Sequence, residues 1–316
     1  MSASFASLPD AGTAEVPAVI RPHIYVVVPT FNRKGLLKRF LDCMRGQTFR
    51  NFTIIVVDDG STDGTSALLR DEYSEVQVLI GDGNLWWTGG TNCGIRHALA
   101  QAGADDAILI INDDLEVDPI YLENLFASWR RMPDTLIGSV AIDINTPGTI
   151  LDGGCLINWW TAKMRMLNAQ KDLSEFGRDY HVDVSTLTGR GTLVPVKVFR
   201  EVGLYHEKHF QQCGDLELPV RAKNRGYRVV VSYDAVIKLH TEQTASVNVS
   251  AGYSLQDLKS YFFGVKSYAL LKNRFFFSYD TARNPVAFVS FLICDMVRIT
   301  VHFLRGLRGG RSVSSP

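Results

Sequence analysis

Two apolar runs in this chain each stop at a cluster of acids, and that pattern restricts the fold more than any other feature. Residues 52–57 read FTIIVV and close on Asp58-Asp59-Gly60-Ser61, and residues 107–111 read AILII and close on Asn112-Asp113-Asp114. A short β-branched run of this kind reads as a strand buried on both faces, in a parallel sheet covered by helices. In an open α/β sheet, ligands bind in the crevice beyond the C-terminal strand edges, so two acid-tipped strands place carboxylates in one cleft. There they can hold a hard cation and the polar head of a nucleotide.

The surrounding pattern extends the sheet. Strands are expected over 23–29, 52–57, 76–80 and 107–111, and helices over 35–47, 66–73, 91–101 and 119–130. This alternation argues for βαβ units. The second half is less regular. Strand-like runs cover 136–142, 192–196 and 227–232, a helix is expected from Asp215 to Arg225 with Gly226 as its stop, and 149–180 is mixed. After roughly residue 250 the character becomes aromatic and helical. With 316 residues, 46% of them hydrophobic, the chain can bury one large domain with an appendage. Its formal net charge is zero, which argues against a nucleic-acid partner. Cys43, Cys93, Cys155, Cys213 and Cys294 are scattered, without a CxxC pair, so a reducing, cytoplasmic setting is expected. Residues 1–22 lack the apolar core of a signal peptide and read as a disordered arm.

Each candidate motif has a functional and a plain reading. Asp58 and Asp59 can accept hydrogen bonds from a base or a ribose, or can form a turn and cap the next helix. Asn112 and Asp114 share one face of an extended chain, with Glu116 nearby, as a site for Mg²⁺ or Mn²⁺ needs; the alternative is a second capped turn. The loop over 81–90 holds Gly81, Gly83, Gly89 and Gly90, which let backbone approach a ligand, and Thr91 opens a helix whose N-terminus favours anions. The loop is neither GxGxxG nor a P-loop. Trp86 and Trp87 can stack on a sugar or acceptor, or pack in the core. Asp215 and Glu217 either compensate a helix dipole or include a general base. His240 is either structural or completes a metal site. No serine or cysteine nucleophile constellation is visible.

Taken together, these residues resemble the family-2 glycosyltransferases of the GT-A fold, over roughly His23 to Thr241. The segments carrying the resemblance are VVVPTFNR at 26–33, VVDDGSTDGT at 56–65, GDGNLWWTGGTNCGI at 81–95, INDDLEV at 111–117, LTGRGTLVPVKVFREVGLYHE at 187–207 and CGDLELPVRAKNRGY at 213–227. The third is similar to a loop of a bacterial rhamnosyltransferase-like subgroup. The resemblance implies a Rossmann-like, mostly parallel sheet flanked by helices over 23–248, followed by a helical appendage over 249–316. It implies that Asp58 and Asp59 recognise the nucleoside of a nucleotide-diphosphate sugar and that Pro29, Thr30 and Asn32 line the base pocket. Gly89, Asn92, Asn112 and Asp113 belong to the same donor side. Asp114 would be the principal ligand of Mg²⁺ or Mn²⁺, with His240 and Asn112, the latter standing where many members have the first Asp of DxD. Asp215 matches the catalytic base, although Gly214 replaces the acid that often precedes it. Trp86, Trp87, Arg190 and Glu217 fall on the acceptor or sugar side.

The implied activity is an inverting, single-displacement sugar transfer to a hydroxyl of a glycan or lipid-linked acceptor in surface polysaccharide synthesis. The alternatives are a nucleotide-sugar-binding protein without catalysis, and a nucleotidyltransferase. The tail bears on location. Residues 285–305 read PVAFVSFLICDMVRITVHFLR, too interrupted by Asp295, Arg298 and His302 for a confident membrane span. Those three recur at helical spacing with Arg305, against a face of Phe288, Phe291, Leu292, Val297, Ile299 and Phe303, and Arg308 and Arg311 add a basic end. Two readings stand. The helix lies in the interface of the cytoplasmic membrane through 285–311, or it packs on the catalytic domain or a second copy.

Overall fold

The computed structural model describes residues 22–240 and 253–309. The expected arm apart from Pro22, the boundary at 248/249, the side chain of Arg308 and all of Arg311 lie outside the described residues.

The first half alternates as its pattern requires: β1 (Ile24–Thr30), α1 (Lys34–Arg45), β2 (Phe52–Asp58), α2 (Thr65–Glu72), β3 (Gln77–Ile80), α3 (Trp86–Leu99), β4 (Ala107–Ile110), β5 (Leu115–Val117) and α4 (Tyr121–Arg131). The second half adds β6 (Thr135–Asp143), β7 (Ile150–Asp152), a hairpin of β8 (Cys155–Asn158) and β9 (Lys163–Met166), then β10 (His181–Asp183), β11 (Thr192–Pro195), α5 (Val196–Val202), α6 (Glu217–Asn224) and β12 (Arg228–Leu239). Among the described residues three helices follow: α7 (Asp257–Phe263), α8 (Leu271–Thr281) and α9 (Pro285–Gly309).

The central sheet runs β10-β12-β6-β11-β4-β1-β2-β3, with β5 on β12 and β7 on β6. Along this path only β10 and β11 oppose the common direction. Alternation decides the layers. Ile24, Val26 and Val28 face one core with Leu37, Phe40, Leu41 and Met44 of α1 and Leu122 and Leu125 of α4. Tyr25, Val27, Ile55 and Val57 face the other with Ile95 and Ala98 of α3, Phe199 of α5 and Leu218 of α6. Each fully buried aliphatic side chain contributes about 1.5–3 kcal/mol, which is why both faces are covered.

Two helix boundaries differ from expectation. The helix expected to open at Thr91 begins at Trp86, so Gly89 and Gly90 are helical and buried. Their small size serves packing: a Cβ on Gly90 would meet Pro29 Cβ at 3.3 Å, and one on Gly94 would run into Val27 and reach Val57 Cγ2 at 3.2 Å. Helix α6 starts at Glu217, leaving Asp215 in the loop before it.

The tail also departs from expectation. Phe277 of α8 and Phe291 of α9 share a third core with Cys155, Ile157, Ala162, Phe210 and Val220, so the appendage is packed onto the sheet domain. The polar face read from the sequence is divided: Asp295 turns inward, while Arg298, His302 and Arg305 stay exposed. Asp295 is buried, with Arg274 at 3.5 Å, and Arg298 donates to the carbonyls of Thr161 (2.6 Å) and Ala162. Those partners draw the charged groups inward or to the flank. Val286, Val289, Ile293, Val297, Val301 and Leu304 are left as an exposed stripe, Ile293 and Val297 at 58% exposure.

Candidate active site

Sheet topology assembles the site. β1, β2 and β4 end together, delivering Thr30, Asp58-Asp59 and Asn112-Asp113-Asp114 to one edge. β11 runs the other way and pairs Thr192 with Ile110. Its entry turn, Thr188-Gly189-Arg190-Gly191, therefore lies at that same edge, held by Gly191 N–H on Ile110 O at 3.0 Å. β12 ends there too. Its pairing of Leu239 with Leu115 puts His240 and Asp114 one residue beyond opposite partners.

At the acidic edge, Asp113 is buried and accepts from Thr30 Oγ1 (2.6 Å) and Arg33 Nη1 (2.9 Å), and the same Arg33 nitrogen reaches Asp114 Oδ2 at 3.1 Å. Burial pushes the Asp113 carboxyl above its ordinary range, against the opposing pull of Arg33 and Thr30. Asn112 Oδ1 accepts the indole N–H of Trp87 at 3.0 Å. His240 Nε2 sits 2.8 Å from Glu116 Oε1. The donors Asp114, Asn112 and Glu116 offer oxygens of the kind Mg²⁺ and Mn²⁺ take, and His240 adds an imidazole that suits Mn²⁺ better than Mg²⁺.

At the β2 end the two acids divide. Asp58 is fully buried and spends its carboxylate on Ser61 N–H (2.9 Å) and Ser66 Oγ (2.7 Å), the turn and helix contacts of the plain reading. Asp59 accepts the backbone N–H groups of Gly83 (2.9 Å) and Trp86 (3.1 Å), pinning the glycine-rich loop and the start of α3. A carboxylate has about four acceptor positions, so two remain for a ligand. Asn32, at φ 52°, accepts Thr62 N–H at 2.8 Å and locks the β1 turn to the β2 turn. Pro29 is half-buried, while an open groove of about 460 Å³ runs from Asn32 and Arg33 past Lys34 to Arg39 and Asp63.

Trp87 joins the two sides of the site. Its indole is tied to Asn112, its ring meets Tyr205 edge-on at 5.5 Å, and Gly189 packs directly on it. Gly189 N–H in turn donates to Asp215 Oδ2 at 2.9 Å. Behind Asp215, Asp152 and Arg190 line a cavity of about 20 Å³, enough for one water. Burial pushes the Asp152 carboxyl up, and the charge of Asp215 adds to that, while Gly154 N–H and Arg190 oppose it.

Two expected site residues sit elsewhere. Glu217 is fully buried and holds Arg221 in an ion pair and His206 N–H at 2.9 Å, so it faces no cleft. Asn92 is buried and bridges α3 to Tyr205 O and Glu207 Oε1, both at 2.8 Å. Conversely, Arg33, Glu116 and Asp152 enter the site without having been singled out as site residues. Arg33 follows the β1 turn directly, and Glu116 is two residues from Asp114 on the same strand face, so both left a local signal. Asp152 left none.

Residues 25–180 match the model of Glycosyl transferase family 2. These residues form a family-2 glycosyltransferase domain. The glycosyltransferase is 25% identical over 261 residues to the N-acetylglucosaminyl-diphospho-decaprenol L-rhamnosyltransferase of Mycobacterium tuberculosis, covering 75% of this chain and 82% of that relative. It is 30% identical over 93 residues to the GalNAc(5)-diNAcBac-PP-undecaprenol beta-1,3-glucosyltransferase of Campylobacter jejuni, covering 29% of this chain and 30% of that one. Among solved structures, S. aureus TarS 1-349 superposes with a TM-score of 0.54 at 13% identity over 92% of both chains. GalNAc-T7, crystallised with UDP, GalNAc and Mn²⁺, gives 0.56 at 14% identity over 69% of this chain and 44% of that one. The GT-A fold implied by the sequence resemblance is the fold found.

Proposed function

We propose that this glycosyltransferase moves a sugar, with inversion, from a nucleotide-diphosphate donor to a hydroxyl of a lipid-linked glycan acceptor, with Asp215 as the base. One observation carries the reading. Asp215 and the acidic edge meet at a single side chain, Trp87, through Gly189 packed on its six-membered ring and Asn112 on its indole N–H. A donor bound along the acidic edge would present its anomeric carbon toward Trp87, within reach of an acceptor hydroxyl held at Asp215. The two lipid-diphosphate names among the relatives support the acceptor class.

In this reading the remaining lone pairs of Asp59, with Asn32, Thr30 and Pro29, frame the nucleoside. Asp114, with His240 and Asn112, would hold Mg²⁺ or Mn²⁺, which when bound neutralises the departing diphosphate. Arg33 keeps Asp113 and Asp114 oriented and tempers their repulsion. Asp215 takes the acceptor proton, and Gly189 N–H fixes the carboxylate while it does so. Asp215→Asn should keep donor affinity and lose transfer by roughly 10²–10⁴-fold, the usual value of a positioned base. Wild-type turnover in Asp215→Asn sinks the assignment.

The exposed stripe on α9 supports docking at a membrane surface, where a lipid-linked acceptor resides. The stretch Pro285–Leu307 is long and apolar enough by length and composition to cross a bilayer. Asp295 against Arg274 and Arg298 against the 161–162 carbonyls instead tie its inner face to the domain, which favours lying on the surface.

A further inference from the structure

We propose that His206, His209 and Asp280 form a second metal site, separate from the acidic edge, which takes a zinc-class ion and clasps α8 to the loop that leads into Asp215. Among the described residues this is the one group of three or more His, Cys, Asp or Glu whose ligand atoms all lie within 4.8 Å of one another. His206 Nδ1 and His209 Nδ1 both point at Asp280 Oδ2, at 2.9 and 2.6 Å. A tetrahedral zinc ion with ligand bonds of about 2.0–2.1 Å needs its ligands about 3.3 Å apart, so each imidazole nitrogen has to draw back from Asp280 Oδ2 by roughly half an ångström.

The cluster is preorganised. His206 and His209 come from one turn, in which the N–H groups of His209 and Phe210 both donate to His206 O at 3.0 Å. His206 N–H is anchored on buried Glu217. The His209 ring stacks on Phe276, one helical turn before Asp280 on α8, at 3.9 Å and 8°. The Asp280 side chain is 4% exposed, while His206 and His209 are 38% and 27% exposed, so water can supply the fourth position. Two imidazoles and one carboxylate suit a borderline transition ion rather than Mg²⁺, which demands oxygen. To ligate an ion each ring must offer Nδ1 without its proton, which leaves the ring proton on Nε2.

The position gives the ion a task. Between His209 and Asp215 the loop touches the start of α3 twice, Gln211 O accepting Thr88 N–H and Gln212 Oε1 accepting Trp87 N–H, both at 3.2 Å. Asn273 of α8 also holds Gln212 O at 2.9 Å. Fixing His206 and His209 to α8 therefore steadies the segment that sets Trp87 and Asp215.

The test uses the full chain, stripped with a chelator and titrated with Zn²⁺ alone or Co²⁺ alone. One equivalent should bind tightly, give the strong visible absorption of tetrahedral cobalt, and raise the melting temperature by several degrees, in wild type and in Asp114→Asn alike. The band and the thermal shift should disappear in His206→Gln/His209→Gln and in Asp280→Asn. If the double variant fails to fold, the cobalt spectrum of wild type and Asp114→Asn still decides. No tight binding by wild type, an octahedral cobalt spectrum, or binding lost in Asp114→Asn would overturn the site.

Discussion

Gly189→Ala tests the coupling across Trp87 with a single methyl group. Gly189 is not among the positive-φ residues, so alanine brings no backbone penalty and the effect comes from the Cβ alone. That Cβ would sit 2.9 Å from Trp87 Cη2, closer still to Cζ2, and 3.2 Å from Asp215 Cβ. Comfortable carbon contacts begin at about 3.5 Å, so one partner must retreat by on the order of 1 Å. Trp87 is held by Asn112 and Tyr205, which makes the Gly189–Asp215 segment the freer party. Overpacking of this kind costs about 1–3 kcal/mol of stability. A base displaced by about 1 Å costs on the order of 10² in rate. Single-turnover transfer and donor affinity, measured on the folded variant, should separate: affinity near wild type, transfer down roughly a hundredfold. Transfer within twofold of wild type would show that Trp87 and Asp215 are not geometrically coupled, and the proposed site would lose its central argument.

Glu217→Gln should lose about 3 kcal/mol in denaturant unfolding, because it strands Arg221 in a buried pair, while the folded fraction turns over normally. Loss of transfer at undiminished stability would make Glu217 the base instead. Asp152→Asn should stabilise the protein increasingly as pH rises above the ordinary carboxylate range near 4. Its raised pKa means the stability present below that range is lost as the folded carboxyl ionises, a loss that asparagine avoids. A melting-temperature difference that stays flat or reverses with pH refutes the burial argument. Replacing Ile293 and Val297 with lysine should abolish flotation on anionic vesicles and leave the melting temperature within a few degrees, since both are exposed. Unchanged flotation would remove α9 from the interface.

Legibility of the site followed chain distance. Thr30, Asp59, Asn112 and Asp114 are read from single strand ends because a buried parallel strand must finish somewhere, and the side chains past its end are available for chemistry. Arg33, only three residues past Thr30, was overlooked because its role exists only through Asp113 and Asp114, 80 residues on. Asp58 and Asp59 are neighbours with identical side chains, and side-chain alternation at the strand end sends one to Ser61 and Ser66 while the other pins the loop. Asp215 and Glu217 separate for a similar reason. One precedes the helix, and the other begins it on the face that meets Arg221 one turn later. The glycines over 81–90 read as room for a ligand, yet Gly90 makes room for β1, a distinction that needs the helix in place.

The tail shows where pattern reading holds only in part: Phe291, Ile299 and Phe303 are buried as an apolar face, but Asp295 is buried with them. A polar stripe on an amphipathic helix is normally assigned to water, because an unpaired charge is expensive to bury. That rule presumes that the buried side offers no partners. Here α8 sets Arg274 3.5 Å from Asp295, and the turn after β8 supplies two carbonyls for Arg298, so these two groups of α9 find partners on the protein side while His302 and Arg305 stay exposed. The valines and isoleucines then face outward in a row along the helix. A row of β-branched side chains in water gains nothing for the isolated molecule. Covered by lipid, the same row would recover the apolar burial that the fold leaves unmade, and would hold the cleft beside the phase in which the proposed lipid-linked acceptor would lie.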